Sequence, residues 1–323
     1  MPVTGISMLD NVLVGECTDK VNRTGVSVIY FEGGAVAGVY KYGSATSTRQ
    51  IDSLEASHTV SRIDAITLSG GSAFGLDAGC GVMRWLKENG KGTDVRGIRI
   101  PVVPTAAIFD LRFSTGVTPD CTMSYRACSA LSKDVHEGSE GAGTGATVGK
   151  INGMESAMKG GVGTTYDKLS NGTGIGVYVV VNAFGDIMDK NRKIVAGARK
   201  EKSSKEFIDT SGFITGHTAD SKIPQIPENT TLCIVATDAK FDKSSLITIA
   251  RMASAGIARA ISPAGSSFDG DLVFAVSCGS KSELIDIVGD VSSRLVEEAI
   301  KRAVMHADGL GVLPSYSDLK KKG

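Results

Sequence analysis

Glycine is the residue type that most limits how this chain can fold. It accounts for 40 of the 323 residues, about 12% against a typical 7% or so, without the strict period of collagen. Many glycines cluster in residues 138–149 and again in residues 160–163. Because glycine permits tight turns and close contacts between backbones, both segments are predicted to be loops held against other backbone or against a ligand.

The apolar segments around these loops alternate between strand and helix patterns. The predicted strands are residues 26–31 and 36–40, which form a hairpin around Gly33 and Gly34, and residues 63–68, 98–103, 174–184, 231–237 and 272–277. The predicted helices are residues 73–89, 120–131, 244–261 and 282–307. Hairpins mixed with helices predict an α+β fold with helices outside a pair of sheets, formed as a single domain over residues 1–323.

Charge and hydropathy exclude several classes of function. The 35 lysines and arginines balance the 35 aspartates and glutamates, so nothing favours a nucleic acid or a membrane surface as a partner. The N-terminal residues do not have the charged and apolar regions of a signal peptide. The longest apolar run is about ten residues, which is too short to span a bilayer. The expected location is the cytoplasm.

The cysteine and histidine patterns predict neither a metal site nor a bound cofactor. The six cysteines include no C-x-x-C pair, and the four histidines do not have the spacing of a zinc-binding motif. In a chain of this size without a secretion signal, the cysteines are predicted to be reduced core residues. Residues 145–150 lack the glycine spacing and the final hydroxyl residue of a Walker motif, which excludes nucleotide binding there.

A strand-to-helix turn is a candidate substrate-binding site. The strand at residues 63–68 runs through Gly70, Gly71 and Ser72 into a predicted helix. Several backbone N–H groups point at one spot in such a turn and can bind a substrate oxygen. The alternative is a plain connection between a strand and a helix.

The junction between Asn229 and Thr230 carries the sharpest chemical prediction. Residues 199–228 are predicted to be a polar linker, and a core strand starts directly after them. Pro227 favours an extended approach to that strand. If the peptide bond before Thr230 is broken, the threonine hydroxyl lies beside a free α-amine, which has a reference pKa of about 7.7–8.0 and can act as the base. The alternative is a simple polar turn into a strand.

A pair of acidic residues precedes the strand at residues 272–277. Asp269 and Asp271 are two residues apart, so in an extended segment both side chains face the same side. Two such carboxylates can hold and orient an α-amine through charge-assisted hydrogen bonds. A surface turn is the alternative, whereas a calcium loop is excluded because the other positions of that pattern are missing.

With these features, the chain resembles the DmpA-type aminopeptidases and, more closely, their nylon-oligomer hydrolase relatives, which are N-terminal-nucleophile enzymes. The resemblance lies in residues 68–76, 102–111, 141–146, 158–163, 229–231 and 269–271, in family order over nearly the whole chain. It implies an αββα sandwich and autocleavage into an α chain of residues 1–229 and a β chain of residues 230–323. Aminopeptidase members have a serine nucleophile, so Thr230 favours the nylon-oligomer hydrolase branch.

The resemblance also implies the roles of the site residues. Thr230 is the nucleophile, Asp269 and Asp271 support its amine, Lys159 is a fixed positive charge nearby, and Asn182 is a polar anchor or oxyanion donor. The predicted activity is hydrolysis of small linear amides, such as 6-aminohexanoate oligomers or short peptides, by a homo-oligomer of αβ units. The alternatives are an aminopeptidase on short or β-peptides, an acyltransferase like the similarly folded ornithine acetyltransferases, and an uncleaved binding protein.

Overall fold

The computed structural model of the chain describes residues 5–216 and 229–320. Its strands are β1 (Val12–Asp19), β2 (Thr24–Lys41), β3 (Ser47–Arg49), β4 (Ile63–Ser69), β5 (Thr93–Val95), β6 (Ile98–Ile100), β7 (Thr105–Ala107), β8 (Thr147–Val148), β9 (Met158–Lys159), β10 (Gly161–Lys168), β11 (Gly174–Asn182), β12 (Asp186–Met188), β13 (Ile194–Ala196), β14 (Thr230–Ala239), β15 (Ile261–Ser262) and β16 (Leu272–Lys281). Its helices are α1 (Ser72–Gly75), α2 (Ala78–Glu88), α3 (Cys121–Ser129), α4 (Thr210–Thr215), α5 (Lys243–Ala260), α6 (Ile285–Met305) and α7 (Tyr316–Lys320).

Most of the longer strands belong to one large sheet that folds into two layers. The strand order is β10-β11-β14-β16-β2-β4-β7-β3, and β1 pairs with β2 beside this path. We call β1, the first half of β2, β4, β7 and β3 the first sheet layer. The second sheet layer consists of β10, β11, β14, β16 and the second half of β2.

Side chains alternate along the strands and divide between separate apolar layers. On β14, Leu232 and Ile234 pack with Phe31 of β2 between the two sheet layers. Cys233 and Val235 point the other way and pack against α5 and α6. The outer face of the first sheet layer packs against α2 and α3. Because a strand presents successive residues to opposite faces, this alternation produces the predicted αββα sandwich, which is confirmed.

The predicted hairpin around Gly33 and Gly34 is wrong, because β2 is one strand that passes through both glycines. They adopt φ angles of 77° and 75°, and the register between β2 and β4 shifts between Tyr30 and Ala35. A local irregularity with left-handed glycines bends a strand without ending it. β2 therefore pairs with β1 at one end and with β16 at the other, which joins the two layers.

Other predicted elements differ in their bounds. The helix predicted at residues 73–89 is divided into α1 and α2. Of the strand predicted at residues 98–103, only β6 forms, since Pro101 and Pro104 lack the amide donors of a ladder. The predicted linker contains α4, and residues 217–228 lie outside the described residues, together with the extended approach predicted at Pro227. Within the described ranges, none of the helices has the length and apolar character that crossing a membrane requires.

The fold places the start of β14 in a rigid environment. β14 lies between β11, with which it is antiparallel, and β16, with which it is parallel. Both faces of the strand are covered, and residues 229–237 are buried. The segment after β2 covers the loop before β16, since Ala45 N–H donates to the Asp269 carbonyl and Gly43 N–H to the Asp271 carbonyl.

Candidate active site

Thr230 is the first residue of β14, the position that the sequence predicted for a nucleophile. Only 4% of its surface is exposed, and its Cα lies opposite that of Asn182 on β11. A residue at the head of a central strand has little freedom to move. The threonine hydroxyl is therefore held in a defined place inside the protein.

The carbonyl group of Asn229 lies between two hydrogen-bond donors. The Thr230 hydroxyl donates to this oxygen at 2.6 Å, and the Gly270 N–H donates to the same oxygen at 2.6 Å. The first contact places the nucleophilic oxygen against the peptide group before it. The second points a backbone dipole at the atom that becomes negatively charged when a nucleophile attacks that carbonyl.

Gly270 is a glycine for a physical reason. A Cβ atom built there would lie 2.5 Å from the Ala45 carbonyl oxygen and 2.8 Å from Thr230 Oγ1. Contacts this short do not occur between real Cβ atoms and their neighbours. The absence of a side chain thus allows the Gly270 N–H and the Thr230 hydroxyl to meet at one carbonyl.

The two predicted carboxylates flank Gly270 and are both buried, each with 1% of its surface exposed. The Thr231 N–H donates to Asp271 Oδ1 at 2.5 Å, and the Ser266 hydroxyl donates to Asp269 Oδ2 at 2.6 Å. Burial raises the pKa of Asp269. Burial, together with the neighbouring Asp269 carboxylate, raises the pKa of Asp271 from 3.8 to about 7. Both shifts favour the protonated form of the pair.

Asn182 connects Thr230 to a lysine that the sequence analysis did not single out. The Asn182 side chain donates to the Phe109 carbonyl at 3.0 Å and accepts from Lys150 Nζ at 2.8 Å. The same ammonium donates to the Asn182 backbone carbonyl at 3.0 Å. The charge of Lys150 also lowers the pKa of Asp269, although burial outweighs it. These contacts fit the polar-anchor role predicted for Asn182.

Lys159 is completely buried, and its ammonium ties the glycine-rich loops together. Its Nζ donates to the carbonyls of Gly143 at 2.9 Å, Ala146 at 2.8 Å and Gly160 at 2.8 Å. Burial lowers its pKa to about 7, yet three acceptors require all three protons of the charged form. These contacts give Lys159 a structural role. Its predicted role as a fixed charge at the nucleophile stays a prediction.

The backbone N–H groups of the Gly70–Ser72 turn are all used within the protein. Gly70 donates to the Gly25 carbonyl at 3.0 Å and Ser72 to the Ile108 carbonyl at 2.9 Å. Gly71 donates to Asp110 Oδ1 at 2.7 Å. These donors therefore hold the turn in place in this structure, and substrate binding by Gly70, Gly71 and Ser72 stays a prediction.

Sequence reasoning missed Gly270 and Lys150 as parts of the site. A backbone N–H has no residue-type signature, although a glycine between two buried aspartates is a signal of close packing. Lys150 stands at the end of the segment that was considered only for nucleotide binding. In the part of the chain that the structure describes, no group of three or more His, Cys, Asp or Glu residues could hold a metal ion.

Comparisons with known proteins identify a matching family and several relatives. Residues 5–313 match the model of a protein family described as "Peptidase family S58". An uncharacterized aminopeptidase of Mycobacterium leprae is 34% identical over 90% of this chain and 85% of its own length. A 6-aminohexanoate-oligomer endohydrolase of Agromyces sp. is 28% identical over 85% of this chain and 76% of its own length.

A solved structure reports on the fold alone, because its sequence is only 19% identical. It is the L-aminopeptidase D-Ala-esterase/amidase of Ochrobactrum anthropi, described as a variant of the Ntn hydrolase fold. The TM-score is 0.69, over 95% of this chain and 88% of that chain. The αββα layers described above thus share the fold of that structure.

Proposed function

This chain belongs to peptidase family S58 and is an amide-bond hydrolase, and from that premise we propose that it cuts itself between Asn229 and Thr230. The freed Thr230 then serves as the nucleophile towards small linear amides. The observation that carries this proposal is the Asn229 carbonyl, which lies 2.6 Å from both the Thr230 hydroxyl and the Gly270 nitrogen.

The proposed self-cleavage uses only groups of this chain and water. Thr230 Oγ attacks the Asn229 carbonyl carbon, and the Gly270 N–H stabilises the oxyanion that forms on Asn229. The C–N bond then breaks, and the Thr230 nitrogen takes up the proton that the hydroxyl lost. An ester now joins Asn229 to Thr230 Oγ. Water hydrolyses this ester and leaves a carboxylate on Asn229 and a free hydroxyl and α-amine on Thr230.

In turnover the new α-amine of Thr230 acts as the base for its own hydroxyl. A free α-amine has a pKa of about 7.7–8.0, so a useful fraction is neutral at physiological pH. Asp269 and Asp271 adjoin it, since Asp271 already accepts from the next backbone nitrogen, that of Thr231. With one proton shared, the pair carries about one negative charge. That charge matches the single positive charge of the protonated amine.

Lys150 and Asn182 support this arrangement from the β11 side. The Lys150 ammonium contacts both oxygens of Asn182. Its positive charge also lowers the pKa of Asp269. We assign Lys150 the role of the positive charge that keeps one aspartate ionised, and Asn182 the role of its anchor. The Asn182 side-chain amide donates a hydrogen bond to the Phe109 carbonyl. To stabilise an oxyanion, Asn182 would have to exchange this hydrogen bond for one to the oxyanion.

The purified protein is expected to contain two chains, residues 1–229 and 230–323. Sharing the total mass of 33.5 kDa in proportion to residue number gives about 24 and 10 kDa, the expected products of nucleophilic self-cleavage at this bond. Intact-mass measurement under denaturing conditions and N-terminal sequencing of the smaller chain, expected to begin Thr-Thr-Leu-Cys, test this. A clean cut at another bond would refute the role of Thr230.

The proposed substrates are linear ω-amino-acid oligomers or short peptides without bulky side chains. Gly270 lies close to Thr230 Oγ1 without a side chain, and the chain contains few aromatic residues, 6% of the sequence. Phe268, the residue before Asp269, packs against Phe184 with ring centroids 5.8 Å apart.

Hydrolysis of 6-aminohexanoate oligomers is expected to be faster than hydrolysis of phenylalanyl or tryptophanyl p-nitroanilides, because slender chains fit between glycine-rich loops whereas large rings need a deep apolar pocket. Both substrate classes compete in one assay, and mass spectrometry follows the released amines. A preference for the aromatic aminoacyl substrates would place the protein with the aminopeptidases. A homo-oligomer of αβ units in the cytoplasm completes the proposal.

A further inference from the structure

A cavity of about 350 Å³ is lined mainly by cationic and apolar side chains, and Thr230 is not part of its lining. Its charged lining consists of Arg23, Arg112, Arg199 and Lys202, against one carboxylate, Glu155. No residue that lines it hydrogen-bonds to Thr230, Asp269 or Asp271 within the described ranges. An excess of positive charge in a concave site attracts anions.

Two of these cations have donors to spare. Arg23 uses its Nε for the Phe113 carbonyl at 2.6 Å, and its terminal nitrogens bind no other described residue. The Lys202 ammonium likewise has no hydrogen bond or ion pair among the residues that the structure describes. Both groups line the cavity, so their free donors are available to a ligand there.

Arg199 gives a second and independent sign of a missing polar partner. Only 3% of its surface is exposed, and its terminal nitrogens donate to the backbone carbonyls of Glu155, Ala157 and Lys202. Its Nε is buried without a hydrogen-bond partner among the described residues. Buried donors are nearly always satisfied. The guanidinium thus holds three backbone carbonyls in place beside the cavity, while its Nε donor makes no hydrogen bond to a described residue.

The rest of the wall is apolar, which narrows the class of ligand. Phe113 and Leu313 are buried and line the cavity with Met154. The Arg23 guanidinium lies over the Phe113 ring, 5.5 Å from its centroid. The volume corresponds to about a dozen water molecules at roughly 30 Å³ each. A small anion with a short apolar chain fits both the charged and the apolar side of such a space.

We propose that this cavity binds a small aliphatic carboxylate, with the carboxylate on Arg23 and Lys202 and the chain against Phe113 and Leu313. A salt bridge from a bidentate guanidinium favours a planar carboxylate. The acid half released by amide hydrolysis belongs to this ligand class. The cavity is then a product-binding site separate from the nucleophile.

Isothermal titration of the purified wild-type protein with hexanoate at constant ionic strength tests the proposal. Hexanoate is expected to bind, 1-hexanol to show no binding, and inorganic phosphate to bind more weakly than hexanoate. Lys202→Gln and Arg23→Gln are each expected to weaken hexanoate binding at least tenfold. Lys190→Gln, an exposed lysine in the turn after β12, is the matched control and is expected to bind like the wild type.

Thr230→Ala separates this site from the nucleophile, because it is expected to bind hexanoate like the wild type. Loss of binding in Thr230→Ala would make the site depend on Thr230 or on the cut before it, and either result would overturn the proposal. Equal binding of 1-hexanol or phosphate, or unchanged binding in both cavity variants, would overturn it as well. Because Thr230→Ala is expected to stay uncut, hexanoate binding by both this variant and the wild type would show that the cavity does not depend on the proposed self-cleavage, which intact mass tests separately.

Discussion

Thr230→Ala is expected to yield one uncut chain of 33.5 kDa with no measurable amide hydrolysis. The same oxygen attacks the Asn229 carbonyl during self-cleavage and the substrate carbonyl during turnover, so its removal stops both steps. Denaturing electrophoresis shows the first effect, and release of 6-aminohexanoate from its linear oligomers measures the second.

Two further variants separate loss of the hydroxyl from loss of packing. Thr230→Val keeps the branched shape of the buried side chain and is expected to fail as completely as alanine. Thr230→Ser keeps the hydroxyl and is expected to cut, more slowly because the side chain is less restrained at χ1. Cutting or turnover in the valine variant at the wild-type rate would exclude Thr230 as the nucleophile.

The sequence could single out Thr230, Asp269 and Asp271 as candidates because the proposed chemistry depends on residue type. A hydroxyl residue at the head of a strand and two acids two residues apart are visible without coordinates. The layers could also be predicted, since alternate residues along β14 face opposite layers. This alternation depends only on residues within one strand, so it can be predicted from the local sequence.

Long-range pairing was not visible in the same way. Two glycines at residues 33 and 34 indicate a hairpin when only their neighbours are considered. The real pairing of β2 with β1 and β16 involves residues far away in sequence, and it keeps the strand continuous through the glycines. Strand partners decide between a turn and a bend, and a local pattern contains no information about them.

The same limit explains why Lys150 could not be predicted from the sequence, whereas the family resemblance implied Lys159. Both lysines stand beside glycine-rich segments, and residue type does not distinguish them. In the structure the Lys159 ammonium is saturated by three loop carbonyls, whereas that of Lys150 reaches Asn182. Only the path of the backbone determines which acceptors each ammonium contacts. The Gly270 N–H was invisible for a related reason, because every residue except proline has one.

Asp271→Asn is expected to lower turnover about a hundredfold, since misplacement of a catalytic group by about 1 Å costs that much. The neutral amide cannot hold the protonated amine of Thr230 in its orientation. Asp269→Asn is expected to have a similar effect. Steady-state kinetics on linear oligomers measures both variants, and thermal melts of the same preparations show whether they are folded. Variants that melt early yet turn over normally would make the pair structural.

The pH dependence of stability provides a second measurement on Asp271. Its pKa is raised from 3.8 to about 7 in the folded protein, so the folded state binds a proton there that the unfolded chain releases above about pH 4. By linkage, this carboxyl makes the uncut chain, which Thr230→Ala preserves, lose stability as the pH rises from about 4 to about 7. Asp271→Asn, introduced into the same Thr230→Ala chain, has no proton to lose. The difference in Tm between the single and the double variant should therefore shift in favour of the double variant across this range. A difference that stays constant with pH would mean that Asp271 ionises normally, and the shared proton proposed for the pair would have to be abandoned.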